Sequence, residues 1–165
     1  MLIAFCGRPR AGKTMPAHRL AQQRQATYLR IDAVAEALLA DRGSRLVDRG
    51  AGYRVAYAIA EENLKLGRTV FADCVNPLKI TREAWCAVAR RAAVELITVV
   101  VTCSNPAQPQ SRVEAHPPGT RGSVWAGIRN RAFEATQPSS VVIDTADRSV
   151  EQCLAALDAA VLHQP

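Results

Sequence analysis

The sequence predicts an α/β protein of three layers, one domain with a parallel sheet covered by helices on both faces. Three observations carry that prediction. Short apolar runs alternate with helically spaced segments along the chain. A glycine-bearing stretch, Gly7 to Thr14, lies directly between the first apolar run and the first helical segment. The length, 165 residues with 48% apolar, suits one core and would squeeze two.

The elements follow in order. Leu2 to Cys6 is a continuous apolar run ending at glycine, as a buried parallel strand should. Residues 13 to 24 place Ala17, Leu20 and Ala21 at helical spacing. Thr27 to Ile31 reads as a second strand, and Asp32 to Ala40 as a helix with Asp32 at its N-cap. Arg42 to Gly52, with three glycines and mixed charge, reads as a surface loop. Tyr53 to Leu66 is a helix closed by Gly67 at C′. Thr69 to Ala72 is the third strand and Thr81 to Arg91 the next helix. Glu95 to Thr102, rich in Val and Ile, is the fourth strand. Val141 to Ile143 is the fifth, followed by a closing helix over Val150 to Leu162. Between the last two strands, Ser104 to Pro138 holds five of the nine prolines and only scattered helical pattern. A connection that long is commonly a lid or a binding loop.

Composition excludes several classes. Charged residues are 22%, so neither disorder nor a fibrous protein fits. The longest apolar run, Leu96 to Cys103, falls far short of the roughly 20 residues of a membrane helix. The start MLIAFCG has no basic region before its apolar stretch and reads as a strand rather than a signal peptide. Five cysteines, Cys6, Cys74, Cys86, Cys103 and Cys153, form no CxxC pair; four sit in apolar segments as small core residues, and a reduced cytoplasmic setting is expected. The formal net charge is +6, and only Lys13, Lys65 and Lys79 are lysines. Arginine offers planar, bidentate donors to phosphate. A GC-rich genome would give the same composition, so charge alone decides nothing.

Gly7-Arg8-Pro9-Arg10-Ala11-Gly12-Lys13-Thr14 matches GxxxxGK[ST] at every fixed position. At average composition that match arises by chance in about one in two hundred chains of this length. The strand before it and the helix after it supply the context the motif requires. Glycines let the backbone turn so that successive N–H groups point at an anion, and the helix N-terminus adds its positive dipole end. Lys13 is then expected to reach the β- and γ-phosphates of ATP, with the Thr14 hydroxyl as a ligand for Mg²⁺. A plain glycine turn is the competing reading.

With GRPRAGKT, then YLRID, VFADCVNPLKITREAW, VTCSNPAQPQSRVE and VVIDT, the chain resembles the small P-loop kinases of the nucleoside-monophosphate-kinase type. Within them it is most similar to the AAA-domain kinases, relatives of the chloramphenicol and zeta-toxin phosphotransferases and of the polynucleotide kinases. That resemblance implies the P-loop NTPase fold, a five-stranded parallel sheet ordered 2-3-1-4-5, and an arginine-bearing lid before the last strand, here residues 104–138. Two positions depart from the pattern. Arg10 stands where relatives have glycine, and is strained if the loop needs positive φ there. Pro16 lacks an N–H in the first helical turn.

Three further residues are candidates for the chemistry. Asp32 ends the second strand, where carboxyl ends line the ligand crevice; it suits a general base that takes the proton of an attacking hydroxyl, a role the resemblance also implies. Capping the following helix is the alternative. Asp73 follows the third strand and suits a Mg²⁺-binding acid. Arg112 lies where relatives carry a lid arginine, whose guanidinium offsets charge on the transferring phosphoryl group; Arg121, Arg129 and Arg131 are weaker candidates. Asn76 could line an acceptor pocket, although Asn-Pro is also a turn dipeptide. His18, His116 and His163 have no ligand spacing, and Trp85 and Trp125 suit packing better than base stacking.

The sequence therefore predicts an ATP- and Mg²⁺-dependent kinase acting on a hydroxyl of a small molecule. A polynucleotide or RNA 5′-hydroxyl kinase would use the same core and account for the charge, but only 5% of residues are aromatic and no second nucleic-acid domain is evident. A nucleotide-binding regulator without transfer activity would also keep the loop. A nucleoside-monophosphate kinase would need a base pocket that nothing in the sequence marks.

Overall fold

The computed structural model describes residues 1–40, 50–105, 107–108, 134 and 140–162. Its elements are β1 (Leu2–Cys6), α1 (Thr14–Gln23), β2 (Thr27–Arg30), α2 (Ile31–Ala40), α3 (Ala51–Lys65), β3 (Val70–Asp73), α4 (Lys79–Arg91), β4 (Leu96–Thr102), β5 (Val141–Asp144) and α5 (Val150–Leu162). The strands form one parallel sheet in the order β2-β3-β1-β4-β5. This is the expected P-loop topology.

Period-2 alternation in the central strands sorts the core into two layers. Ile3 and Phe5 of β1, with Phe71 of β3 and Val99 and Val101 of β4, face Ala17, Leu20 and Ala21 of α1 and Leu157 and Val161 of α5. Leu2, Ala4, Val70 and Ala72 face the other way, onto Ala56, Ala60 and Leu64 of α3 and Trp85, Val88 and Ala89 of α4. β1 and β3 are buried along their whole length because helices cover both faces. Trp85 is fully buried with its ring edge-on to Tyr57, so it packs the core and stacks on no ligand. Three of the cysteines, Cys6, Cys74 and Cys153, are buried, and all five are free thiols.

Helix ends explain most shifts from the predicted boundaries. α3 closes as expected in a Schellman motif: Gly67 stands at φ +78, its N–H bonds Leu64 O at 2.9 Å, and the Arg68 N–H bonds Asn63 O at 3.1 Å. α1 and α4 end the same way, with Gln25 (φ +50) and Ala93 (φ +51) in the place glycine prefers. Ala51 and Gly52, expected in the loop, already belong to α3, and Gly52 meets Ala35 of α2 so closely that an added Cβ would lie 3.0 Å from the Ala35 Cβ. Residues 42–49 of that expected loop lie outside the described residues.

One expectation is corrected. Asp32 is not an N-cap, because α2 begins at Ile31 with no intervening residue after β2. Ile31 is drawn into the core, 2% exposed, and this draws the helix start back ahead of Asp32. Asp32 thus sits inside the first turn, where a carboxylate still meets the positive end of the helix dipole. Asp73, in turn, is the last residue of β3 rather than the one after it, paired in register with Arg30.

Candidate active site

The chain reverses its direction of winding about β1, and the crevice of an open α/β sheet lies at the carboxyl ends of its strands near such a point. Gly7 to Lys13 occupy that place, between the end of β1 and the start of α1. Three residues turn the loop through positive φ: Gly7 at 148°, Arg10 at 67° and Gly12 at 89°. Gly7 also approaches β4 so closely that an added Cβ would lie 2.2 Å from Val101 O. No other residue fits there. Arg10, exposed, bears the left-handed conformation that glycine would take more cheaply, as its departure from the family pattern implied.

The loop is fastened from three sides. Gly7 N–H donates to Val75 O at 3.1 Å, beyond the end of β3, and Ala11 N–H closes a turn onto Arg8 O at 3.2 Å. The Thr145 hydroxyl, just past β5 and 3% exposed, donates to Ala11 O at 2.6 Å. Lys13 lies across the loop, its Nζ donating to Gly7 O at 2.9 Å and Arg8 O at 2.8 Å. It is 7% exposed, and burial pushes its pKa down while the charges of Asp73 and then Asp32 pull it back up. Lys13, Asp32 and Asp73 therefore form one electrostatic unit. Arg8 and Pro9 complete the loop between its glycines, and Thr14 opens α1, whose first N–H groups have no partner within the helix. Pro16 is the third residue of that helix, among those first positions, so its missing N–H removes no intrahelical bond.

Asp32 is half-buried, and its carboxyl is pushed up to about 6 from an ordinary 3.8. Desolvation is the largest cause and the nearby Asp73 charge the second; Lys13 and Arg30 oppose them. A carboxylate poised near neutrality is suited to take a proton. Asp73 is 3% exposed and accepts a hydrogen bond from the Tyr28 hydroxyl at 2.7 Å on one oxygen. Tyr28 is held in turn edge-on against His18, the one predicted isolated histidine among the described residues. Burial and the Asp73 charge keep the Tyr28 phenol protonated far above its usual range. The remaining Asp73 oxygen and the Thr14 hydroxyl are hard oxygen donors that suit Mg²⁺. Among the described residues no group of three or more acids, histidines or cysteines gathers to hold a metal alone, and a phosphate-bound Mg²⁺ needs none.

Sequence reasoning missed Tyr28, Thr145, Tyr53 and Arg82. Tyr28 alternates with Leu29 on β2, and a tyrosine two residues before a strand-end arginine carries no signal that it will reach the neighbouring strand's acid. Thr145 follows VVIDT's apolar run and could have been read as a strand-end anchor. Arg112, Arg121, Arg129, Arg131, His116, His163, Trp125 and most of segment 104–138 lie outside the described residues. Glu134 of that segment is described: its N–H bonds Pro77 O at 3.1 Å, and its carboxylate accepts from the Lys79 N–H at the start of α4. Among the described residues no helix is long and apolar enough to cross a membrane.

Comparisons with known proteins agree with this geometry. Residues 2–118 match the family model described as AAA domain. No curated protein matches the chain in sequence. Among solved structures, the chain is similar to the APS kinase of Mycobacterium tuberculosis, solved with AMPPNP and APS, at 22% identity and a TM-score of 0.71, over 97% of this chain and 96% of that one. A sugar kinase from Janibacter sp. HTCC2649 aligns at 13% identity and a TM-score of 0.73, over 99% and 95%. Kti12 of Chaetomium thermophilum, solved with ADP-AlF3, aligns at 17% identity and a TM-score of 0.71, over 98% and 97%. The family match covers well over half the chain and the fold is that of P-loop kinases: the chain belongs to the AAA-domain family of P-loop proteins.

Proposed function

We propose that this protein is an ATP-dependent kinase, a single domain of the cytoplasm, that transfers the γ-phosphoryl group to a hydroxyl of a small molecule. The observation that carries the proposal is Lys13, laid across the phosphate loop, beside Asp32, a carboxylate held near neutrality in the first turn of α2. One group suits the donor and the other the acceptor. Two of the structural neighbours are named for small molecules, a sugar and APS.

Phosphoryl transfer is mainly positioning and charge neutralisation. The first N–H groups of α1 face the phosphates, and Lys13 exchanges its loop carbonyls for β- and γ-phosphate oxygens. Asp32 accepts the proton of the attacking hydroxyl and aligns its oxygen with the γ-phosphorus. Thr14 and Asp73 would hold Mg²⁺, which neutralises phosphate charge when bound. Tyr28 fixes the Asp73 carboxylate from behind.

A second reading, a nucleotide-binding module without transfer, is favoured by the strained Arg10 in the loop and by the likeness to Kti12. One experiment separates the two. γ-³²P-ATP and Mg²⁺ are supplied with pooled small hydroxyl compounds in one arm and pooled 5′-hydroxyl oligonucleotides in another. Label in the first pool is expected; label in the oligonucleotides alone indicates a nucleic-acid kinase, and bound ATP with no labelled acceptor indicates the regulatory module.

A further inference from the structure

Asn76 is held in a way that the fold alone does not require. It lies three residues beyond the end of β3, 1% exposed, at φ +50. That conformation is strained for a non-glycine residue, and asparagine is among the side chains that tolerate it best. Its backbone is clamped by side chains from three other elements. The N–H donates to Tyr53 Oη of α3 at 2.9 Å. The carbonyl accepts from Arg82 Nη1 of α4 at 3.2 Å and from Cys6 Sγ of β1 at 3.5 Å. Val75, the residue before it, bonds the first residue of the phosphate loop. Yet the side-chain carbonyl Oδ1 is buried with no hydrogen-bond partner among the described residues. A buried acceptor left so is destabilising. Strain and an unmet acceptor together, over-determined by three neighbours and set beside the loop, mark a ligand contact rather than a packing residue.

We infer that Asn76 determines acceptor specificity, its amide carbonyl taking one hydroxyl of a neutral polyhydroxylated molecule whose reacting hydroxyl faces Asp32. The inference rests on the hydroxyl-kinase reading above and narrows it. An amide carbonyl accepts O–H and N–H groups and repels anionic oxygens. The charges of Asp32 and Asp73 also disfavour an anion. Arg82, the cation at Asn76, already donates to its carbonyl and lies 3.9 Å from Glu134. The site thus matches a sugar or polyol better than a phosphorylated or sulfated metabolite.

Calorimetric titration of the protein with Mg²⁺ and a non-hydrolysable ATP analogue tests this. The probes are glycerol, ribitol, D-ribose, D-glucose and myo-inositol, then inorganic phosphate and D-ribose 5-phosphate, then a 5′-hydroxyl oligonucleotide. At least one neutral compound should bind most tightly. Asn76→Gly, which keeps the positive φ and removes the amide, should weaken it tenfold or more; Asn76→Asp, which keeps an acceptor oxygen, should lose less. Tighter binding of an anionic probe or the oligonucleotide, no neutral binder at all, or equal affinity in Asn76→Gly overturns the inference. Transfer of γ-³²P to the bound compound is scored separately. A polyol that binds through Asn76 but takes no label refutes the transfer reading alone, whereas normal transfer with an unchanged KM in Asn76→Gly refutes the inference alone.

Discussion

The two sides of the crevice are built differently. The donor side is eight consecutive residues, Gly7 to Thr14, and works mainly through backbone groups, with glycine where a side chain has no room. The side we propose for the acceptor is drawn from Asp32 of α2, Tyr53 of α3, Asn76, three residues past β3, and Arg82 of α4, and works through side chains. Anion binding by a backbone nest needs particular φ angles and close approaches, so it leaves a sequence pattern. Recognition by side chains needs only the right atoms at the right place, and many sequences supply them. A motif therefore reports the donor and stays silent about the acceptor.

The largest effect should come from closing the one space that the donor side leaves open. Gly7→Ala puts a Cβ 2.2 Å from Val101 O, so β1 and β4 must part. We expect a loss of about 3 kcal/mol or more, read as a fall in Tm, with Mg-ATP binding abolished. A variant with wild-type Tm and affinity would show that the loop has room for a side chain at Gly7.

On the acceptor side, Asp32→Asn should lower turnover by about 10²-fold or more. Wild-type turnover should rise with pH through about 6 as Asp32 ionises. Stability should move the other way. The Asp32 carboxyl titrates near 6 when folded against an ordinary 3.8, so the folded state binds more protons between those values and stability falls as pH rises across them. Asp32→Asn escapes that loss. It should be more stable than wild type at pH 8, by about 1–3 kcal/mol, and equal at pH 3. Thermal melts at both values check this, and an Asn variant that is less stable at pH 8 would make Asp32 a structural residue.

A smaller effect lies between the two sides. Tyr28→Phe frees the Asp73 carboxylate without changing the core volume, and should raise the Mg²⁺ concentration needed for tight ATP-analogue binding by about three- to tenfold. No change would mean that Asp73 holds its place unaided. Smallest of all, Gln25→Gly and Ala93→Gly relieve the positive φ at two helix ends far from the loop, and each should add about 0.5 kcal/mol. Loss of stability at either would mean that these ends are held by contacts rather than strained.

Legibility followed the same division. The strand–loop–helix start, the five strands and α5 were readable because buried parallel strands are short apolar runs and their helices carry period-3.6 faces. The place of Asp32 inside its helix is not legible locally, because the helix begins on Ile31, whose burial is a tertiary fact. Tyr28 and Asp73 meet across two strands 45 residues apart in sequence, and Thr145 reaches Ala11 across 134. No local pattern records such pairs. Arg10 was legible as a position of strain, since the loop's turn fixes its backbone sign whatever the side chain.

Lys13 and Asp32 adjoin, and we propose that they serve different substrates, Lys13 the nucleotide and Asp32 the acceptor. Calorimetric titration of Mg²⁺ and a non-hydrolysable ATP analogue into the wild type, Lys13→Ala and Asp32→Asn tests it most directly. Lys13→Ala should lose affinity by about 10²-fold, since it removes a charge-assisted contact to the phosphates, while Asp32→Asn should stay within about threefold of wild type because it touches only the acceptor. Unchanged affinity in Lys13→Ala, or an equal loss in both variants, would contradict the division between donor and acceptor sides.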